Sequence, residues 1–136
     1  MALSLKHRHA IVVSAKAESQ GLECANRLRD TERVAKTCNG IGAAWMPKWL
    51  RWAVTHLHPT LEPTAYIHDL DYDDGGTPGA RLDADIRFLC NGFRAACHSF
   101  RWFDPRRCLV ILDAFRFFIL LRIFGAAAFN YRGRKR

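Results

Sequence analysis

Hydrophobic and polar positions along this chain recur at helical intervals rather than alternating as in a strand. Leu22, Ala25, Leu28 and Val34 follow such a spacing in a stretch without proline, which predicts a short amphipathic helix within residues 15–36. The small-residue run from Asn39 to Ala44 breaks it. Pro47 then opens a segment carrying Trp49, Leu50 and Trp52, and the pairs His58-Pro59 and Glu62-Pro63 punctuate the chain again. Nothing interrupts a helix from Pro63 to Asp74. The run from Gly75 to Gly79 is a turn signal, and residues 80–100 read as a second helix with Leu82, Ile86, Leu89 and Phe93 on its apolar side. So short a connection brings the two helices back antiparallel. Asp104 and Pro105 open a last helix as N-cap and first-turn proline. The pattern therefore predicts an all-α fold, a small helical domain built on an antiparallel helix pair.

A length of 136 residues with 49% apolar positions suits one globular domain, 1–136. Its core is expected over 38–129, with 1–37 an N-terminal extension or helix and 130–136 a basic tail. The longest apolar stretch, Cys108 to Phe129, is interrupted by Asp113, Arg116 and Arg122, so it reads as a buried amphipathic helix, with interfacial contact as the alternative, rather than as a membrane span. Lys6, Arg8 and His9 precede only a short apolar stretch, and no signal peptide is expected; export by another route and peripheral attachment to a membrane both fit.

The net charge of +8 favours an anionic partner, nucleic acid or a phospholipid surface. It is unevenly spread. Between Glu62 and Asp85 seven acids meet one base, Arg81, a net −6 that leaves +14 on the rest of the chain. Such an acidic island is a cation site or a solvated helix pair facing basic neighbours. Asp71, Asp73 and Asp74 suit the solvated end of the first helix. Five cysteines without a CxxC pair point to reduced, buried thiols, and Cys90 and Cys97, seven apart on one helix, are too far from each other to bridge. Trp45, Trp49, Trp52 and Trp102 suit a core, or an interfacial surface beside Lys48 and Arg51.

On the first helix of the pair, His68, Asp69 and Tyr72 share one stripe. Asp85, on the returning helix, is a carboxylate on an apolar face, and buried carboxylates need partners. Opposite His68 it can accept the Nδ1 proton and leave Nε2 as a base. Asp69 points to the neighbouring position. There, with carbonyls of a glycine-containing loop such as Gly40 and Gly42, it can serve a hard cation such as Ca²⁺.

At these residues the chain resembles a known family. His68-Asp69-Leu70-Asp71-Tyr72 matches the HDxxY motif of phospholipase A2, and Ala84-Asp85-Ile86-Arg87-Phe88 matches the ADxxF element of the parvovirus capsid phospholipases. The stretch also looks like small phage and bacterial proteins of that class. The resemblance covers roughly residues 38–100. It implies that His68 activates water, Asp69 binds Ca²⁺, Tyr72 supports the dyad and Asp85 orients the histidine. Gly40 and Gly42 resemble the GxG whose carbonyls complete the calcium loop. Secreted animal members place a cysteine where Asp71 stands and staple their helices with disulfides; here that staple is missing, although Cys38 could pair with Cys90 or Cys97 in an exported protein.

The implied function is calcium-dependent hydrolysis of the sn-2 ester of glycerophospholipids at an anionic membrane surface, with oligomeric state open. The alternative is a non-catalytic, basic nucleic-acid-binding or lipid-binding protein on the same helical scaffold. Against nucleic acid, the chain carries no recognition helix, RRM or zinc-finger signature.

Overall fold

A computed structural model describes residues 3–38 and 46–131, and all of their regular structure is helical. The helices are α1 (Leu5–Ser19), α2 (Thr31–Thr37), α3 (Lys48–Leu57), α4 (Glu62–Asp74), α5 (Pro78–Ser99) and α6 (Pro105–Phe124), with 3₁₀ turns at Ala25–Arg29 and Gly125–Ala127. The all-α expectation holds. Gly40, Gly42, Trp45 and the arginines of the basic tail lie outside the described residues.

Local chemistry sets the helix starts. Side chains of Ser4, Asp30, Thr77 and Asp104 each accept a hydrogen bond from a first-turn N–H of α1, α2, α5 and α6, and prolines occupy the first turns of α4, α5 and α6. The helix expected within residues 15–36 is instead two helices and a 3₁₀ turn. Gly21 adopts φ +64°, the Leu22 N–H bonds back to the Ala17 carbonyl and the Gly21 N–H to that of Glu18, a Schellman close that ends α1.

Three packed clusters hold the fold. Ala10, Val13 and Ala17 of α1, Leu28, and Val34 of α2 pack with Ile67 and Leu70 of α4 and Ala95 of α5, so the core reaches into the first 37 residues. Leu61, Ala65, Phe88 and Ala114 form a second cluster joined by Val54, Val110, Phe117 and Leu121. Tyr72, Ala84 and Phe129 form the third. Leu61, at the start of α4, lies against Gly92 and His68 against Asp85, while Asp85 meets Arg122 and Phe93 meets Phe115, so both helix pairs are antiparallel.

Of the acids at the end of α4 only Asp74 is exposed, and all three are tied to bases. Arg27 pairs with Asp71 and Asp74, Arg33 with Asp73 at 3.0 Å and Asp74 at 2.6 Å, and Arg87 with Asp71 at 2.7 Å. Thus α4 meets basic neighbours from the segment following α1, from α2 and from α5.

The apolar side expected for α5 is rotated. Leu82 and Ile86 are exposed, whereas Arg81, Asp85 and Asn91 are buried with Ala84, Phe88, Gly92, Ala95 and Ala96. Asn91 is inward because its amide bonds both the N–H and the carbonyl of Glu23. Helix α6 is not a buried helix either: Ala114 is its one fully buried residue, and Leu109, Leu112, Phe115, Ile119 and Ile123 form an exposed apolar stripe. Among the described residues no helix is long and apolar enough to cross a membrane.

Trp49, Trp52 and Trp102 are exposed as well, the last at 81%. All five thiols are free; Cys90, Cys97 and Cys108 are exposed, while Cys38 is half-buried and donates its thiol hydrogen to the Tyr66 carbonyl at 3.4 Å. No pairing of Cys38 with Cys90 or Cys97 is present.

Candidate active site

His68 and Tyr72 lie one turn apart on α4, and the antiparallel return of α5 puts Asp85 against both. The His68 Nε2 is 2.9 Å from Asp85 Oδ1, and the Tyr72 hydroxyl donates to the same oxygen at 2.7 Å. Asp85 is 0% exposed and His68 5%. Nε2, rather than the expected Nδ1, faces Asp85, so in a neutral ring Nδ1 is the nitrogen without the proton. The charge on Asp85 fixes this tautomer, because an ionised carboxylate accepts hydrogen bonds and cannot donate them.

Burial alone pushes the Asp85 carboxyl up. Hydrogen bonds from His68, Tyr72 and Arg122 outweigh that and hold it below the usual carboxylate range. Burial pushes the Tyr72 hydroxyl up, and its bond to Asp85 adds to the rise, so it stays a donor at neutral pH. The imidazole is also packed by rings, with Tyr72 at 4.1 Å between centroids and Phe88 edge-on at 5.5 Å.

Sequence reasoning missed the other half of the carboxylate. Arg122 of α6 donates to Asp85 Oδ2 at 2.6 Å, and Arg81 Nε lies 4.0 Å from that oxygen. The remaining Arg81 nitrogens hold the Leu121 and Arg122 carbonyls at 2.8 and 2.9 Å and reach the Tyr131 hydroxyl at 3.3 Å. Gly125 belongs to the site too, since a Cβ there would stand 2.5 Å from the Tyr72 hydroxyl. The signal for Arg122 was its place as a base within an apolar run.

Asp69 is partly exposed on α4. Burial pushes the Cys38 thiol up, and the charge of Asp69 adds to it. Cys38 is the last described residue before Gly40 and Gly42, which lie outside the described residues. Among the described residues no group of three or more His, Cys, Asp or Glu side chains could hold a metal ion. A site of one carboxylate plus backbone carbonyls is a different donor set, and it suits a hard, oxygen-seeking cation.

The arrangement provides a histidine with a fixed tautomer, a buried anion to stabilise the imidazolium formed when Nδ1 takes a proton, and an adjacent carboxylate. These are the parts of a general base for water. No protein-family model, curated protein or solved structure matches the chain.

Proposed function

We propose that the protein is a calcium-dependent lipid hydrolase of the phospholipase A2 type. The observation that carries this reading is the buried contact of His68 Nε2 with Asp85 Oδ1, with the Tyr72 hydroxyl on the same oxygen. His68 Nδ1 takes a proton from a water molecule as that water attacks the sn-2 ester carbonyl. Asp85 keeps the Nε2–H oriented and balances the imidazolium charge. Tyr72 holds the Asp85 oxygen in line with the ring. Asp69, with carbonyls of Gly40 and Gly42, would hold Ca²⁺, which supplies a Lewis acid for the developing oxyanion.

Work at a lipid surface is supported by the α6 stripe of Leu109, Leu112, Phe115, Ile119 and Ile123, exposed on a chain of net charge +8. The test is fatty-acid release from mixed phosphatidylcholine and phosphatidylglycerol vesicles, in Ca²⁺ or in chelator. The wild type should release fatty acid only with Ca²⁺, and His68→Gln and Asp69→Asn should lose release. Undiminished release by His68→Gln, or none from the wild type in either condition, overturns the reading.

The near-complete burial of His68 favours a second reading, a non-catalytic lipid-binding relative in which the pair only locks α4 to α5. It predicts vesicle binding without hydrolysis.

A further inference from the structure

We infer that Arg122 is a positioning residue for the His68–Asp85 pair, which it sets through the Asp85 oxygen that neither His68 nor Tyr72 touches. The inference rests on the hydrolase reading for its kinetic consequence, but not for its structural one. Arg122 lies on α6, beyond the stretch that resembles the phospholipases, so no motif assigns it.

The two oxygens of Asp85 are divided. Oδ1 accepts from His68 at 2.9 Å and Tyr72 at 2.7 Å, and Oδ2 accepts from Arg122 at 2.6 Å. Asp85 is fully buried beneath Arg122, whose own side chain is 34% exposed, so methionine, which keeps most of the arginine's stem, is the replacement that least opens Oδ2 to water. A competing donor among the described residues is Arg81. Its Nε is buried, makes no hydrogen bond among the described residues and lies 4.0 Å from Oδ2. Bringing Oδ2 into bonding range of that nitrogen requires the carboxylate to turn or shift, and either motion moves Oδ1 relative to the imidazole. Arg122 bonds Oδ2 and opposes that motion.

Arg81 keeps Arg122 in place. Its Nη2 donates to the carbonyls of both Leu121 and Arg122, which anchors the end of α6 over Asp85. Arg122 contacts Asp85 through Nη1 alone. A lysine ammonium at this position can therefore restore one charged contact without needing the planar fork.

The experiment compares wild type, Arg122→Met and Arg122→Lys, each shown to be folded at the assay temperature by circular dichroism and thermal melting. One readout is kcat and KM for fatty-acid release from phosphatidylcholine and phosphatidylglycerol vesicles with Ca²⁺. The other is the tautomer of His68 in ¹⁵N-histidine-labelled protein, read from two-bond ¹⁵N–¹H couplings across a pH series and assigned with His68→Gln. Arg122→Met should lower kcat about 10- to 100-fold, the cost of a small misplacement of a reacting group, with KM within twofold. It should also raise the Nδ1–H population of His68, and Arg122→Lys should largely reverse both effects.

A folded Arg122→Met with wild-type kcat and an unchanged tautomer overturns the inference. So does a lost kcat with the tautomer unchanged and no rescue by lysine, which is the pattern of a merely structural role. If Arg122→Met does not fold, Arg122→Gln takes its place with the same two readouts: a raised Nδ1–H population supports the inference, and a folded protein with the wild-type tautomer overturns it. If the wild type releases no fatty acid, the hydrolase reading fails, and the tautomer comparison judges Arg122 by itself.

Discussion

Replacing Gly125 with alanine puts a methyl group where the Tyr72 hydroxyl sits. The added carbon would stand 2.5 Å from that oxygen and 3.3 Å from two carbons of the ring. The first distance is untenable, so Tyr72 must withdraw, and its 2.7 Å bond to Asp85 goes with it. A hydrogen bond to a charged group contributes about 1.5–3 kcal/mol, and overpacking a closed site costs about 1–3 kcal/mol. Since the same atoms carry both effects, Gly125→Ala should destabilise by about 2–3 kcal/mol in total.

In Tyr72→Phe the offending oxygen is already gone, and the methyl meets only ring carbons that need give by a few tenths of an ångström. The backbone at Gly125 has φ −71°, which alanine adopts without strain. Gly-to-Ala at such a site gains about 0.4–1 kcal/mol through the unfolded chain. Gly125→Ala should therefore be near neutral when added to Tyr72→Phe. A double-mutant cycle by urea denaturation, read by circular dichroism, should give a coupling of about 2 kcal/mol. Additivity within about 0.5 kcal/mol, the behaviour of independent sites, would refute the close approach of Gly125 to Tyr72 and the dependence of the hydroxyl bond on it.

Two further predictions concern titration and reactivity. Asp85 is held below its ordinary range, so its stabilising effect is fully present above the unfolded carboxyl value of about 3.9 and is lost as pH falls through the folded value; the stability gap between wild type and Asp85→Asn should narrow as pH drops below about 4, and a gap constant from pH 6 to 2.5 would contradict this. Burial raises the Cys38 thiol, whereas Cys90, Cys97 and Cys108 are exposed, so a disulfide-exchange reagent at pH 8 should titrate those three first and Cys38 last; early labelling of Cys38, located by mass spectrometry, would contradict the placement of its thiol against Tyr66.

The helix pair and its buried dyad were legible because their signals are local and dense. Prolines mark where α4, α5 and α6 begin, and a tight glycine-containing turn brings Asp85 back against His68. The rotation of α5 was not legible. Periodicity assigns apolar residues inward, but here Arg81, Asp85 and Asn91 are inside because each finds partners on another element, and a hydrophobic pattern carries no information about such partners. The break after α1 was signalled by Gly21, whose left-handed conformation is invisible until the chain is built. In sequence Arg122 is only an obstacle to membrane insertion, since its partner lies 37 positions earlier.

Asn130 has a consequence for the order in which this molecule assembles. Its N–H bonds to the Tyr72 carbonyl, its carbonyl accepts from Gly76 N–H, and its amide reaches the Asp73 carbonyl, so the segment at Asn130 closes over the α4–α5 turn. A chain emerging from the ribosome holds His68 and Asp85 once α5 is out. It then still lacks Arg122 for Oδ2, Gly125 beside Tyr72 and the Asn130 clamp, all of which come from the last part of the chain. Contacts this distant in sequence form late because loop closure must precede them. A nascent chain carrying the first five helices should therefore hold both members of the pair without their fixed geometry, which the final segment alone completes.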